Sequence, residues 1–326
     1  MKAAVLSRVG EAPRCEDFGD PQASQGEVLV RVRAAALKPI DRQLASGAHY
    51  ASQQSLPVVC GTDGVGQFGD GSRVFFGGSR APFGAMAELT VVAAMRCFRL
   101  PDNVDDVTAA AVFNPGLSAY GALKWRAQIA SGESVLVLGA TGVTGKLAIQ
   151  TAKLLGAARI VAAGRNETVL NTLSELGADA TIRLDKSGAE LSELFAREAG
   201  SKGFDVVIDY LWGPATEALL GALTRKDFSA ASTRVRLVQI GESAGSTIQL
   251  PAATLRSSRL EILGAGSGSM PASREIWDEA IRWLLDNVAR GSLRIETEPV
   301  PLAEVESAWR REWHGRRPVI IPSSVS

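Results

Sequence analysis

Apolar residues alternate with polar ones in the first third of the chain, and this pattern predicts β-strands. In Glu27–Arg33 three valines fall on one face and two arginines on the other. The same pattern predicts strands at Lys2–Arg8 and Gly84–Val92. The glycine-rich stretch Gly61–Phe76 is typical of tight turns between short strands. We therefore expect a β-rich first third.

Near Asp105 the pattern changes to alternating helices and strands, beginning with an alanine-rich helix over 107–126. We predict strands at Ser134–Leu138, Arg159–Ala163, Phe204–Asp209 and Arg234–Ile240, and helices at Lys146–Leu155 and Glu167–Leu176. Apolar strands separated by helices are typical of a parallel sheet covered on both faces. An amphipathic helix (Ile276–Val288) and a final strand (Pro318–Ile321) form a tail too short to fold alone, so we expect the tail to pack on the first domain.

The composition argues against several classes of protein. A length of 326 residues accommodates two domains, and 35 Lys and Arg balance 35 Asp and Glu. A net charge of zero gives no electrostatic reason to expect nucleic acid or an anionic membrane as partner. No apolar run reaches the ~18 residues of a membrane span, and the first residues resemble a strand rather than a signal peptide. Three scattered cysteines argue against a disulfide framework and predict a reducing, cytoplasmic location.

The sharpest motif is a glycine-rich turn that directly follows a predicted strand and opens a helix, Gly139-Ala140-Thr141-Gly142-Val143-Thr144-Gly145. In a dinucleotide site the first glycine permits a tight turn, the middle one lets the backbone approach the pyrophosphate, and the last lets helix and strand pack closely. Free amides at the helix start then favour the phosphates. The spacing is GxxGxxG rather than GxGxxG, so a turn that binds no nucleotide is the alternative.

The end of the second strand of this unit selects the cofactor. An acid there would hydrogen-bond the ribose 2′-hydroxyl of NAD, but this chain has Gly164-Arg165-Asn166. The Arg165 guanidinium suits a 2′-phosphate, so we predict NADPH, favoured by about one or two orders of magnitude. A solvated surface arginine is the alternative. Glu167 is the nearest acid, and we place it in the following helix.

Two further residues follow later strands of the predicted sheet. Tyr210 and Gly241 come directly after the strands that end near Asp209 and Ile240. Ligands of such sheets lie at the carboxyl ends of the strands, so both residues are candidate cofactor-binding residues. Arg316 and Arg317, near the end of the chain, are interpreted as a solvated pair, with contact to a cofactor phosphate as the alternative.

Several segments besides the nucleotide motif resemble the medium-chain dehydrogenase/reductase superfamily. They are Pro57–Gly66 (PVVCGTDGVG), Gly84–Glu88 (GAMAE) and Ser118–Leu123 (SAYGAL). Members have an α/β architecture, with a GroES-like β-barrel catalytic domain and a Rossmann-type cofactor domain built on a doubly wound parallel sheet, and the active site lies between the two. The resemblance implies that 1–113 and 271–326 form the catalytic domain and that 114–270 form the dinucleotide-binding domain.

Zinc-dependent alcohol dehydrogenases of this superfamily bind their metal with three residues, whose positions correspond here to Lys38, Thr62 and Asn114. None of these is a usual zinc ligand, so we predict no metal and reject that class.

The chain instead resembles the quinone oxidoreductase and enoyl reductase branch. That branch usually has Leu-Asn-Pro-x-Asp where this chain has Leu-Lys-Pro-Ile-Asp, from Leu37 to Asp41, and it has a tyrosine near Tyr50. Lys38 replaces the usual asparagine.

Without a metal, a quinone or activated alkene fits the site better than a simple ketone, because it is already electrophilic. Its developing oxyanion needs only hydrogen-bond donors. We predict that Lys38 and the Tyr50 hydroxyl are these catalytic donors, that Tyr50 or water returns a proton, and that Asp41 has an orienting role. A surface lysine and a loop aromatic are the alternatives for Lys38 and Tyr50. Asn114 is expected to line the cofactor cleft.

The leading hypothesis is therefore an NADPH-dependent quinone reductase. The first alternative is an enoyl or alkenal reductase that acts on α,β-unsaturated carbonyl compounds. An alternative of another class is a non-catalytic NADPH-binding sensor or structural protein. The resemblance also implies a homodimer, in which the strand-like Leu260–Gly264 pairs across a two-fold axis.

Overall fold

The chain folds as two compact units, Met1–Asn114 with Ile281–Ser326, and Pro115–Ala280. The structure is a computed structural model, and it describes residues 1–48, 52, 55–224, 234–269, 271 and 273–322. The boundaries predicted from the sequence fall after residues 113 and 270, against 114 and 280 for these units. The prediction that the first unit is the catalytic domain and the second the cofactor-binding domain stays a prediction.

Short strands dominate the first unit, and strands alternate with helices in the second. Up to Asn114 the elements are β1 (Lys2–Leu6), β2 (Arg14–Asp17), β3 (Glu27–Ala36), α1 (Pro39–Ala45), β4 (Val58–Val59), β5 (Asp63–Gln67), β6 (Arg73–Gly77), β7 (Leu89–Ala93), β8 (Cys97–Arg99) and the first part of α2 (Asp106–Tyr120). From there to Ala280 they are a π-helical segment (Gly121–Arg126), β9 (Ser134–Leu138), α3 (Val143–Leu154), β10 (Arg159–Gly164), α4 (Glu167–Leu170), β11 (Ala180–Arg183), α5 (Gly188–Ala199), β12 (Val206–Asp209), α6 (Pro214–Leu223), β13 (Arg234–Gln239), α7 (Ala252–Ser257), β14 (Arg259–Gly264) and the start of α8 (Arg274–Ala289). The chain then adds β15 (Thr297–Pro301), α9 (Val305–Arg310) and β16 (Arg317–Ile321), and short 3-10 helices lie at Ala94–Arg96, Leu173–Leu176, Ser267–Ser269 and Leu302–Glu304.

A six-stranded parallel sheet forms the centre of the second unit, in the order β11-β10-β9-β12-β13-β14. Alternate side chains of β9 enter two different cores, Val135 and Val137 on one face and Leu136 and Leu138 on the other. Both faces are therefore covered, which confirms the predicted parallel, Rossmann-type sheet. Strand order reverses beside β9, and in such sheets ligands bind outside the carboxyl ends of the strands at that reversal.

Among its described residues, the first unit contains two sheets. A seven-stranded sheet has the order β15-β16-β3-β5-β6-β8, with β7 also paired to β3, and a three-stranded sheet has the order β2-β1-β4. Neighbouring strands are antiparallel except for β15 and β16. Because β16 pairs with β3, the C-terminal strand belongs to the same sheet as the N-terminal ones. The GroES-like barrel is consistent with these sheets and stays an expectation.

Charged and aromatic contacts attach the start of α2 to the first unit. The Asp106 carboxylate accepts hydrogen bonds from Arg33 at 2.5 Å and from Arg73 at 2.7 Å. Further along the helix, Phe113 stacks on Phe75 of β6 with ring centroids 3.6 Å apart. These contacts fix the part of α2 that ends in Asn114. Among the helices that the structure describes, none has the length and apolarity of a membrane span.

Candidate active site

The turn between β9 and α3 depends on two glycines. Gly139 has a φ of +86°, a conformation that other residues rarely adopt. A Cβ atom at position 145 would lie 2.3 Å from the Gly139 carbonyl oxygen, so only glycine lets helix and strand approach so closely. The amides of Gly139 and Ala140 both donate to the Ala163 carbonyl at 2.9 Å. The turn is therefore fixed against the end of β10.

Gly142, the middle glycine, is not required by the packing of the turn. It is exposed, its φ is −80°, and a Cβ atom there would meet the Gly139 oxygen only at an ordinary contact distance of 3.4 Å. The fold itself thus has room for a side chain at this position. The amides of Val143, Thr144 and Gly145 begin the helix, where no intrahelical acceptor exists, and the N-cap residue Gly142 has no side chain to cap them. An exposed backbone with free donors fits the pyrophosphate of a dinucleotide.

The end of β10 places an arginine beside this turn. A Cβ atom at Gly164 would lie 2.5 Å from the Thr141 side chain, so β10 and the turn are in close contact. Arg165 follows and is exposed, with no hydrogen bond or ion pair to any residue that the structure describes. Asn166 caps α4 by accepting a bond from the Val169 amide at 3.1 Å. The Arg165 guanidinium is therefore free to bind an anion next to the glycine turn.

At the end of β12, Asp209 organises the following loop. Its buried carboxylate accepts hydrogen bonds from the amides of Leu211 at 2.8 Å and Trp212 at 2.9 Å, and from the Thr216 hydroxyl at 2.6 Å. Burial raises the pKa of Asp209, and these hydrogen bonds oppose the increase. Trp212 has a φ of +56°, which is uncommon for a bulky side chain. The loop is therefore held in a defined conformation by one carboxylate.

Tyr210 and Gly241 lie together at this edge of the sheet. A Cβ atom at Gly241 would be 2.7 Å from the Tyr210 carbonyl oxygen, and the Tyr210 Cβ is 3.2 Å from the ideal Cβ position of Gly139. The Tyr210 hydroxyl is buried and has no hydrogen-bond partner among the described residues, and its burial raises the pKa of Tyr210 far above the ordinary value. The loops after β9, β12 and β13 thus converge at this edge of the sheet.

In the first unit, Lys38 lies inside a compact cluster of charges. Its side chain is 1% exposed, and its ammonium lies 3.0 Å from Asp63 Oδ1, 3.5 Å from Asp41 Oδ2 and 3.1 Å from the Ala36 carbonyl oxygen. Asp41 accepts hydrogen bonds from the amides of Lys38 at 2.8 Å and Thr62 at 3.1 Å. The Thr62 hydroxyl donates to Asp63 at 3.1 Å, which closes a ring of hydrogen bonds. Burial raises the pKa of Asp41, whereas the Lys38 charge lowers it.

Arg317 adds a second cation to this cluster. It donates to the Leu37 carbonyl at 3.0 Å, and burial lowers its pKa to about 10 against the opposing charges of Asp41 and Asp63. It therefore remains charged at neutral pH and balances the second carboxylate. The expectation of a solvated Arg316–Arg317 pair is wrong for Arg317, which is buried at the start of β16, while Arg316 is exposed.

Comparison with known proteins agrees with these features. The zinc-binding dehydrogenase family model matches residues 143–286. A quinone oxidoreductase of Lama guanicoe is 30% identical over 241 residues, which cover 64% of this chain and 68% of that protein. A quinone oxidoreductase of Thermus thermophilus, whose structure was also solved in complex with NADPH, is 31% identical with a TM-score of 0.82, covering 98% of this chain and 100% of that one. An NADPH-dependent alkenal/one oxidoreductase of Arabidopsis thaliana is 28% identical over 86% of this chain and 74% of that protein.

The chain belongs to the medium-chain dehydrogenase/reductase superfamily, in its quinone oxidoreductase branch. It is accordingly an oxidoreductase of that superfamily. The description of the matching family model mentions zinc. In the part of the chain that the structure describes, no group of three or more His, Cys, Asp or Glu side chains is arranged to hold a metal ion.

The structure locates most of the residues predicted for the site in this oxidoreductase. The glycine turn, Arg165, Tyr210 and Gly241 meet at one edge of the second unit's sheet, whereas Lys38 and Asp41 share the charge cluster of the first unit. Asn114 is exposed on α2, and Tyr50 lies outside the described residues. None of the binding or catalytic roles is tested by these placements, so the roles stay predictions.

Sequence reasoning missed two members of the charge cluster, Asp63 and Arg317. The sequence did indicate that a carboxylate should lie near Lys38, because a lysine flanked by apolar residues needs an opposite charge when it is buried. Asp63 follows Thr62 directly, but it is 25 residues from Lys38, and the sequence does not show which acid comes close.

Replacing Lys38 by methionine tests the cluster. Asp41 and Asp63 would then be buried with one cation instead of two, and we expect a loss of about 3–5 kcal/mol in the free energy of unfolding. Lys38→Met with Asp63→Asn should recover part of that loss. Lys2→Met is the matched control, since it removes an exposed ion pair of the same unit and should change stability by less than about 0.5 kcal/mol. Denaturant unfolding measures all four proteins. Equal midpoints for wild type and Lys38→Met would contradict the account.

Proposed function

We propose that this oxidoreductase uses NADPH to reduce a quinone without a catalytic metal. The observation that carries the proposal is that the Lys38 ammonium is buried and bound to two carboxylates; the resemblance assigns position 38 to the first metal ligand of zinc-dependent members. Thr62, at the second ligand position, donates its hydroxyl hydrogen to Asp63. Neither side chain supplies a thiolate or imidazole, so electrophilic activation has to come from the acceptor itself.

The second unit supplies the cofactor site in this proposal. The free amides at the start of α3 bind the pyrophosphate, and Gly142 leaves room for it. Arg165 binds the 2′-phosphate, because its guanidinium is exposed and has no ion-pair partner among the described residues. Tyr210, Gly241 and Asn114 complete the set of proposed binding residues. When bound, the reduced nicotinamide supplies a hydride.

The first unit supplies the groups that act on the acceptor. The Tyr50 hydroxyl donates a hydrogen bond to the oxyanion that develops on the acceptor, and it returns a proton. Lys38, which the sequence predicts to be a second donor to the oxyanion, acts in this proposal by positioning instead, because its ammonium already contacts a carbonyl oxygen and two carboxylates. Asp41, which binds two backbone amides, keeps its predicted orienting role. An already electrophilic quinone needs no stronger activation than this.

Reduction of α,β-unsaturated carbonyl compounds is the second candidate function. The observation that favours it is the similarity to an alkenal/one oxidoreductase of Arabidopsis thaliana, which extends over 86% of this chain. The cofactor site would be the same, and only the acceptor would differ. Quinone reduction remains our first choice, because the relative of known structure that is 31% identical is a quinone oxidoreductase.

We also propose a homodimer and a reducing, cytoplasmic location. β14, which contains the predicted strand Leu260–Gly264, is an edge strand of the six-stranded sheet and is therefore available to pair across a two-fold axis. All three cysteines are free thiols, which suits a reducing compartment.

Arg165→Asp tests the cofactor assignment. The reversal of charge should raise the NADPH dissociation constant by about one to two orders of magnitude more than that of NADH, because only NADPH carries the 2′-phosphate. Arg197→Asp is the control, since Arg197 lies in the last turn of α5, beside Glu198, which bonds to Arg159 at the opposite end of β10. Titration calorimetry gives both constants. An equal effect of Arg165→Asp on the two nucleotides would remove Arg165 from the phosphate site.

Acceptor specificity and metal dependence are tested together. With NADPH, kcat/KM should be higher for 1,4-benzoquinone and 9,10-phenanthrenequinone than for 3-buten-2-one, and 1,10-phenanthroline should leave all rates unchanged because no step uses a metal. Steady-state kinetics and elemental analysis of the purified protein are the measurements. A preference for the enone would favour the second candidate function. Stoichiometric zinc together with inactivation by the chelator would contradict the metal-free mechanism.

A further inference from the structure

An acidic residue lies close to the proposed 2′-phosphate site. Glu167 is the first residue of α4, two positions after Arg165. A free carboxylate at the end of this strand normally accepts a hydrogen bond from the ribose 2′-hydroxyl and selects NAD, and it would repel a phosphate at the same place. The chain therefore contains a potential NAD-selecting group beside its proposed NADP-selecting arginine.

In the structure, Arg183 engages this carboxylate. Arg183 Nη1 lies 2.5 Å from Glu167 Oε2, and Arg183 Nη2 lies 2.6 Å from Asp185 Oδ2. Arg183 is the last residue of β11 and pairs in register with Gly164, directly before Arg165. The strand pairing therefore places the guanidinium next to the start of α4, where it meets Glu167.

Several charges consequently lie at the ends of β10 and β11, and three of them, Arg183, Glu167 and Asp185, are paired with one another. Arg183 holds both Glu167 and Asp185, and the pKa of Asp185 is lowered by its hydrogen bond to Arg183. Arg165 takes part in no ion pair with the described residues. Arg165 therefore remains available at this place, and an unpaired cation suits a phosphate better than a neutral hydroxyl.

We propose that Arg183 is a cofactor-specificity residue, which favours NADPH by binding the Glu167 carboxylate and so removing it from the ribose 2′ position. The inference rests on the proposed function, since it requires a dinucleotide with its ribose at the end of β10. Arg183 acts here through Glu167 and needs no contact with the cofactor. It is therefore a positioning residue, distinct from Arg165.

Two single variants and their combination separate this role from a simple charge effect. Arg183→Ala frees Glu167, so NADPH should bind less tightly and NADH more tightly, and the ratio of their dissociation constants should shift by about fivefold, the upper range for an exposed ion pair. Glu167→Gln alone should keep the preference for NADPH. In the double variant residue 167 carries no charge and only Asp185 is released, so the preference should return to that of Glu167→Gln. Titration calorimetry of NADPH and NADH with each purified protein measures binding without turnover.

Asp185→Asn is the matched control, since it removes the other ion pair of Arg183 and leaves Glu167 bound. It should keep the wild-type ratio. The proposal is overturned if Arg183→Ala leaves the ratio unchanged, if the double variant stays as shifted as Arg183→Ala, or if Asp185→Asn shifts the ratio equally. Wild-type protein that binds neither nucleotide would instead refute the proposed function. Thermal unfolding of each variant without nucleotide verifies that all are folded.

Discussion

The close approach of α3 to β9 is the constraint on which the nucleotide-binding edge depends. At position 145 any side chain would collide with the backbone of Gly139 and Ala140, so the helix starts directly above the end of the strand only because glycine is present. The same turn donates two hydrogen bonds to Ala163, which sets the end of β10 beside it. The proposed phosphate-binding amides and the arginine proposed to distinguish the cofactors are thus positioned by one packing contact.

In the first unit, the arrangement of the chain depends on the balance of buried charges. Two carboxylates, Asp41 and Asp63, are buried together and are tolerated because Lys38 and Arg317 are buried with them. The cluster joins the start of α1, the start of β5 and the start of β16, three segments that are far apart in sequence. At the ends of β10 and β11 in the second unit the charges are exposed, and Arg165 is left without an ion-pair partner among the described residues. This difference suits a structural role for the first cluster and a ligand-binding role for Arg165.

Much of this fold was predictable from local pattern. The strand Ser134–Leu138 has the predicted bounds, and the glycine turn follows it as expected, because residue type and immediate context determine both. The helix predicted at Glu167–Leu176 instead ends at Leu170 and is followed by a 3-10 helix, since the Thr172 hydroxyl bonds back to the Val169 carbonyl.

Pairings between distant charges were not predictable. Lys38 with Asp63, and Arg183 with Glu167, depend on strand register and burial, which no local pattern reveals.

Backbone hydrogen exchange with and without NADPH tests the central claim most directly, because it reports on the amides that are said to bind the pyrophosphate. The account predicts that a saturating concentration of NADPH slows exchange in a peptide covering 139–145, and that the peptide covering β14 is unaffected. Saturable NADPH binding with unchanged exchange at 139–145 would contradict it.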